Sequence, residues 1–175
     1  MAILGLDFGR ALQSKRPWAD SNYHLAKAVV RVQRDREKLG FPPAMVILQA
    51  EISDAYATLD LSDIGGDWLK ISTHNRHPGR YLDSYEVIRQ AKDAMKIKGL
   101  RNLIIVAHPD HYDRCRTIAK WFGLQVLEVN RNSLKQIPYD KESDQLWTRN
   151  RHFFRTWTIL GYVSFWLKRR KKDRC

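Results

Sequence analysis

The sequence predicts a doubly wound α/β fold, as one Rossmann-like three-layer domain with a mainly parallel sheet and, after it, a C-terminal aromatic and basic helix. Short apolar runs alternate with helical patterns along the chain. Two of the runs, 44–48 and 102–107, are continuously apolar, which is typical of strands covered on both faces. Alternating strands and helices imply right-handed crossovers and a parallel sheet.

Five apolar runs are the predicted strands. They are 2–8, 44–48, 68–71, 102–107 and 125–129. The stretch 54–66 leaves two alternatives open, a short helix and a loop. The sequence shows no internal repeat and no low-complexity linker.

Three helices are predicted between the strands, and a glycine follows each of them. The first covers 20–39, with apolar residues at helical spacing and Asp20 or Ser21 as its N-cap. Asp83 is the predicted N-cap of the second helix and Asp110 that of the third.

The fold predicts where a ligand binds, because ligands of such sheets lie outside the carboxyl ends of the strands. Polar residues follow all five predicted strands. The candidate positions are Asp7, 49–51, 72–75, 108–114 and 130–132.

The segment 107–114 is the most informative of these, since a strand runs directly into two imidazoles and a guanidinium at a helix start. A helix N-terminus attracts anions and favours a neutral imidazole. His111 is therefore a candidate hydrogen-bonding or acid/base group, and Arg114 a candidate anion clamp. The alternative is that Asp110 only caps, His111 is solvated and Arg114 pairs with Asp113 or a neighbouring helix.

Two short motifs carry a resemblance to a known family. The chain reads Ser-Tyr-Glu-Val at 84–87 and His-Tyr-Asp-Arg-Cys at 111–115. Over about 2–150 it resembles the SanA/ElyC/YdcF-like family of bacterial α/β domains, in which Thr-x-Glu-Asn opens one helix and His-x-x-Arg-Ala the next. The resemblance implies a link to envelope maintenance and, from one branch, S-adenosylmethionine binding, but no reaction.

The chain departs from that family at two places. Where the family has a Ser-Gly-Gly turn after the second strand, this chain has Gln49-Ala50-Glu51, and Val87 replaces the asparagine. A glycine turn lets backbone amides approach an anion, whereas Glu51 would repel one. The ligand or the chemistry then differs from that of the family, or the site is degenerate.

The sequence thus predicts a small-molecule site for a nucleotide-like or phosphorylated ligand, with no metal and no identified cofactor. The candidate catalytic residues are His111 and Glu86, although Glu86 is equally explained by the dipole of its helix. The candidate ligand-binding residues are Asp7, Glu51, Ser84, His108 and Arg114. The loop histidines His74 and His77 either line this site or are simply exposed.

Two sharper motif readings are disfavoured. The sequence Gly-Leu-Asp-Phe-Gly at 5–9 resembles the first strand of RNase H-like resolvases, but the hairpin and further acidic ligands of that fold do not follow. The sequence Ala-His-Pro-Asp at 107–110 resembles the zinc motif of LmbE-like deacetylases, but His111 stands where their second aspartate lies. Zinc held by His108, Asp110 and His111 with a distant His74 or His77 stays an alternative.

The net charge of +12 is concentrated at the C-terminal end. Residues 146–175 hold nine basic side chains and one acidic one, and the uncharged run 156–167 is rich in aromatic residues. This run is too short to span a bilayer, so it is either a helix packed on the sheet or a peripheral contact with anionic membrane or nucleic acid. We therefore divide the chain into an α/β domain, 1–150, and a tail, 151–175.

Two widely separated cysteines and an N-terminus unlike a signal peptide predict a cytoplasmic protein, with peripheral contact at the inner membrane surface left open. Whether it is an enzyme also stays open. The competing hypothesis is a non-enzymatic interaction protein that uses its basic aromatic C-terminus and retains a vestigial pocket.

Overall fold

The computed structural model describes residues 1–11, 17–65, 68–79, 82–129 and 134–158. The strands are β1 (Ala2–Gly5), β2 (Met45–Gln49), β3 (Trp68–Ile71), β4 (Asn102–Val106) and β5 (Gln125–Leu127). The helices are α1 (Asp20–Lys38), α2 (Ala50–Tyr56), α3 (Ser84–Ile97) and α4 (Pro109–Trp121), followed by a short 3₁₀ turn (Leu146–Thr148) and a helix over 151–158, here α5.

The five strands form one parallel sheet in the order β3-β2-β1-β4-β5. The doubly wound α/β prediction is therefore confirmed, and each predicted apolar run contains one strand. The chain proceeds from β1 outwards to β3 and then crosses back to β4. This reversal between β1 and β4 is the topological switch point, where open α/β sheets bind their ligands.

The core is built around the two central strands. Every residue of β1 is fully buried, and Leu103 and Val106 of β4 are fully buried as well. Helix α1 packs on α2, and α3 packs on α4, as right-handed crossovers require of the two layers that cover the sheet. The last layer of side chains toward the carboxyl ends contains Leu6 and Phe8, and it forms the floor of the switch point.

Two helix starts differ from the sequence prediction. The N-cap of α1 is Ala19, and Asp20 is the first helical residue. The N-cap of α4 is His108, whose Nδ1 accepts a hydrogen bond of 3.3 Å from the amide of Asp110. Pro109 occupies the first helical position, where its fixed φ suits the helix, so the N-cap lies two residues before the predicted one, Asp110. Asp83 caps α3 as predicted, by accepting from the amide of Glu86.

The segment 134–158 covers the loop that follows β1. Ser143 Oγ accepts a hydrogen bond of 3.0 Å from the amide of Arg10, and the amide of Asp144 donates to the carbonyl of Arg10 at 2.9 Å. Gly9 makes this approach possible. Its φ is +89°, and a Cβ there would lie 3.0 Å from both Ser143 Oγ and Thr148 Oγ1. We call 134–158 the covering segment.

The close approach at Gly9 gives a first prediction. Gly9→Ala should lose about 1–2 kcal/mol for the left-handed backbone and roughly 1 kcal/mol more because the added methyl pushes the covering segment away. Gly40→Ala is the matched control, because Gly40 has φ of +79° and open space where the Cβ would stand. Equal losses in denaturant unfolding of the two variants would contradict the packing of the covering segment on Gly9.

Candidate functional site

Aromatic rings fill the crevice at the switch point. Phe8 follows β1 and His108 follows β4, and their rings stack with centroids 3.8 Å apart and planes 9° apart. Two rings of the covering segment close over them. Tyr139 meets both rings edge-on, and Phe154 lies 5.0 Å from Phe8. Burial lowers the pKa of His108 to about 4, so this imidazole is neutral at pH 7 and packs as an aromatic ring.

A serine and a histidine form a polar pair beside these rings. Ser84 is the first residue of α3, and its Oγ lies 2.9 Å from Nε2 of His111 in the first turn of α4. His111 is 6% exposed, and its Nδ1 is buried with no hydrogen-bond partner among the residues that the structure describes. Burial, with the charges of Arg114 and His108, lowers the pKa of His111 to about 3. The imidazole is therefore neutral at pH 7.

An arginine with no counter-ion in the described part of the chain follows His111 on α4. Arg114 follows His111 by three residues, is half-buried, and has no hydrogen bond or ion pair with any residue that the structure describes. Its charge opposes protonation of His111 and favours the thiolate of the neighbouring Cys115, although burial raises the pKa of that thiol to about 12. A half-buried guanidinium with unused donors is well suited to a carboxylate or a phosphate.

Asp7, by contrast, hydrogen-bonds to backbone. Its two carboxyl oxygens accept from the amides of Glu51 and Ile52 at 3.2 and 3.0 Å, so it caps α2 from the neighbouring strand. Gln49 completes the link, because its Oε1 accepts from the amide of Asp7 at 3.0 Å. Burial and the nearby charge of Glu51 raise the pKa of Asp7 to about 7.

Glu51 supports the entry to α1 from the same place. Its Oε1 accepts from the amide of Ala11, and its Oε2 accepts from the amide of Ala19 and from Nδ2 of Asn22, all at 2.9 Å. Both oxygens are thereby used to hold the loop that follows β1. This carboxylate stands where the resemblance places a glycine turn, and it binds the chain's own amides.

Glu86 lies in a third, separate network. It is fully buried, and its carboxylate oxygens accept from Arg89 at 2.7 and 3.0 Å, from Arg76 at 2.9 Å and from Gln90 at 3.1 Å. The hydrogen bonds from Arg89, with those from Gln90 and Arg76, lower its pKa to about 2. Glu86 is therefore ionised at pH 7 and fixes the loop between β3 and α3 onto α3.

The structure thus distributes the seven predicted site residues over the carboxyl edge in three groups. Ser84, His111 and Arg114 come together, with His108 linked to them through Phe8. Asp7 and Glu51 form the second group and Glu86 the third. His74 Nδ1 lies 3.7 Å from Oε1 of Glu86 and belongs with the third group.

The other predicted positions add no metal site to this picture. His77 donates its amide to Nδ1 of His74 at 3.2 Å. The candidates at 130–132 lie outside the described residues. Among the residues that are described, no three His, Cys, Asp or Glu side chains are grouped so that they could hold an ion.

Several residues that contact the carboxyl edge are not among the residues predicted from the sequence. Tyr139 donates to Asp110 Oδ2 at 2.6 Å, and Arg151 pairs with the other oxygen of Asp110 at 3.2 Å. Asp140 accepts from the amide of Asp20. These contacts join positions 29 or more residues apart, and Tyr139 and Asp140 lie outside any helix or strand, so neither periodicity nor spacing indicates them. The one available signal is Gly9, which can mark a close backbone approach.

The fold and the site together define a Rossmann-like α/β domain with a serine–histidine–arginine group at its topological switch point. No family model, no curated protein and no solved structure matches this chain. Its function is therefore argued from its own residues.

The raised pKa of Asp7 predicts an unusual pH dependence of stability. Between its ordinary value of 3.8 and about 7, the folded chain holds a proton at Asp7 that the unfolded chain has released, so this residue's contribution to stability falls as pH rises. Asp7→Asn keeps one acceptor oxygen and carries no charge. The variant should be less stable than the wild type near pH 4, with a difference that narrows by pH 8.

Thermal unfolding across this pH range is the measurement. Asp35→Asn, which removes an exposed carboxylate from α1, is the matched control. A stability difference between wild type and Asp7→Asn that does not change with pH would contradict the assignment.

The lowered pKa of Glu86 predicts a pH dependence of stability opposite in sign to that of Asp7. Its folded pKa of about 2 lies below its ordinary 4.5, so its stabilisation is complete above about pH 4.5 and is lost as pH falls toward 2. Glu86→Gln should cost roughly 3 kcal/mol at pH 7, since it removes the charge of a fully buried carboxylate that pairs with two partly exposed arginines, Arg76 and Arg89. It should also flatten the acid limb of the unfolding curve.

Asp93→Asn is the control for Glu86, because Asp93 pairs with the same Arg89 at 3.1 Å but is 59% exposed. An exposed pair contributes about 0–1 kcal/mol. Similar losses in the Glu86 and Asp93 variants would refute the structural role given to Glu86.

Proposed function

We propose that this chain binds a phosphorylated or nucleotide-like small molecule at the carboxyl edge of the sheet, with Ser84, His111 and Arg114 as its polar contacts. The observation that carries the proposal is Arg114, a half-buried guanidinium that no described carboxylate neutralises. Three acidic side chains of this edge already have partners within the chain: Asp7 and Glu51 accept hydrogen bonds from backbone amides, and Asp110 accepts from Tyr139 and pairs with Arg151. An anionic ligand would supply the counter-charge that no described carboxylate gives to Arg114.

The serine–histidine pair supplies the neutral contacts of the proposed site. An imidazole that stays neutral at pH 7 either accepts a hydrogen bond from the Ser84 hydroxyl or donates one to it. The hydroxyl can therefore present a donor or an acceptor to the ligand. If the protein is an enzyme, His111 is its proposed acid/base group, because Nε2 is the nitrogen beside the hydroxyl.

The family resemblance adds a second ligand to test. S-adenosylmethionine carries a carboxylate that Arg114 can bind and a sulfonium cation that Arg114 repels. A phosphorylated ligand has no such conflict, and we place it first. An envelope-related role rests on the same resemblance and is part of the proposal only to that extent.

A thermal-shift series on the full chain tests the binding. The probes are inorganic phosphate, AMP, ATP, glucose 6-phosphate and S-adenosylmethionine, since a compound that binds the native state raises its melting temperature. Arg114→Gln removes the proposed clamp. Arg101→Gln is the matched control, because it removes the same charge from an exposed position just before β4, at the opposite edge of the sheet.

We expect a phosphorylated probe to stabilise the wild type and Arg101→Gln alike. Affinity should fall about tenfold or more in Arg114→Gln, because a charge-assisted hydrogen bond contributes about 1.5–3 kcal/mol. If S-adenosylmethionine were the only probe that stabilised the protein, the proposed site would stand, but its ligand would be S-adenosylmethionine and not a phosphorylated compound. Equal affinities in the two variants, or no shift with any probe at millimolar concentration, would reject the proposal.

A further inference from the structure

Helix α5 exposes a row of large apolar side chains. Phe153 and Trp157 are four residues apart on one face of the helix and are 57% and 45% exposed. Leu146, in the turn before the helix, is 60% exposed. Trp157 also stacks on Trp147, with ring centroids 4.7 Å apart. We call Leu146, Trp147, Phe153 and Trp157 the aromatic patch.

The adjacent face of α5 is fixed to the domain. Phe154 is 4% exposed and packs 5.0 Å from Phe8 and 5.8 Å from the ring of His111. Arg151 holds the start of the helix to Asp110 at 3.2 Å. Because α5 is held by this inner face, the aromatic patch points outward, and turning the helix to bury it would expose Phe154.

Positive charge accompanies the aromatic patch. Arg155 is exposed on α5 and has no ion pair with a described residue. In the sequence, the run 156–167 carries no charge and includes seven more large apolar or aromatic residues, and Lys-Arg-Arg-Lys-Lys follows at 168–172. Aromatic side chains next to a cluster of basic residues are the chemistry that binds the interface of an anionic bilayer.

We propose that the aromatic patch is a peripheral docking surface for an anionic lipid bilayer, with Phe153 and Trp157 inserted among the headgroups and the basic residues against lipid phosphates. No helix within the described ranges is both long and apolar enough to cross a membrane. The contact is therefore one made from the surface. None of the four residues of the aromatic patch is among the ligand contacts proposed for the carboxyl edge.

The geometry of the patch favours lipid over nucleic acid. Proteins that bind single strands offer open aromatic faces on which bases stack. Trp147 and Trp157 lie face to face, with planes 11° apart, so each has one face already covered by the other. Their edges and the exposed ring of Phe153 present apolar area without a stacking platform, which suits insertion at a headgroup boundary.

Vesicle co-sedimentation of the full chain tests the proposal. One vesicle preparation is phosphatidylcholine alone, and the other adds about 30% phosphatidylglycerol to supply the negative surface potential. The test variant is Phe153→Ser with Trp157→Ser. The matched control is Leu39→Ser with Ile97→Ser, which removes two apolar side chains that are 74% and 84% exposed elsewhere on the surface. Single-stranded RNA is tested in parallel.

We expect the wild type and the control to bind the anionic vesicles and to bind phosphatidylcholine weakly, with affinity falling as salt rises. The test variant should lose at least about tenfold in affinity, since burial of each aromatic side chain contributes about 1.5–3 kcal/mol. Phe153→Ser alone should show part of this loss, and it serves if the double variant does not fold. Equal vesicle binding by the test variant and the control would overturn the proposal, as would RNA binding by the patch without vesicle binding.

Discussion

The reversal of strand order between β1 and β4 is the constraint on which the rest of this structure depends. It leaves a crevice at the carboxyl ends of two fully covered strands, and the chain fills that crevice with Phe8 stacked on His108. A stacked pair of this kind is buried only if something closes over it, which Tyr139 and Phe154 of the covering segment do. The same closure removes water from His111 and keeps its imidazole neutral.

The distribution of charge at the carboxyl edge follows from the needs of the backbone. Asp7 and Glu51 supply acceptors for amides at the start of α2 and at the entry to α1, groups that would otherwise be buried without partners. Glu86 neutralises Arg76 and Arg89 in the same way on the other face of the sheet. Asp110 has partners as well, Tyr139 and Arg151. Arg114 remains with its charge uncompensated by any described side chain, and this imbalance favours an anionic ligand.

The sequence predicts the strands and the α3 cap because both depend on local pattern. Continuous apolar runs must lie between two layers. The side chain of Asp83 caps the amide of Glu86, which is only three residues further along the chain. The roles of Glu51 and Glu86 are not predictable in this way, because their partners are chosen by packing across 32 and 40 residues in one case and by a loop folding back in the other. The α4 cap at His108 is not predictable from local pattern either. The His108 ring accepts from the amide of Asp110 and at the same time stacks on Phe8, which lies on another strand end.

Helix α5 brings the two proposals into contact, because it has one face on the candidate site and one face toward solvent. Phe154 covers Phe8 and His111 from the inner face, while Phe153 and Trp157 stand on the outer one. Lifting the helix would expose Phe154, at a cost of about 1.5–3 kcal/mol for the lost burial. A bilayer that took up the outer face could offset part of that cost only if it also engaged the lifted helix more strongly than the seated one. In that case a ligand that required the lifted helix would strengthen membrane binding. By the reciprocity of linked equilibria, the membrane would strengthen binding of that ligand by the same factor.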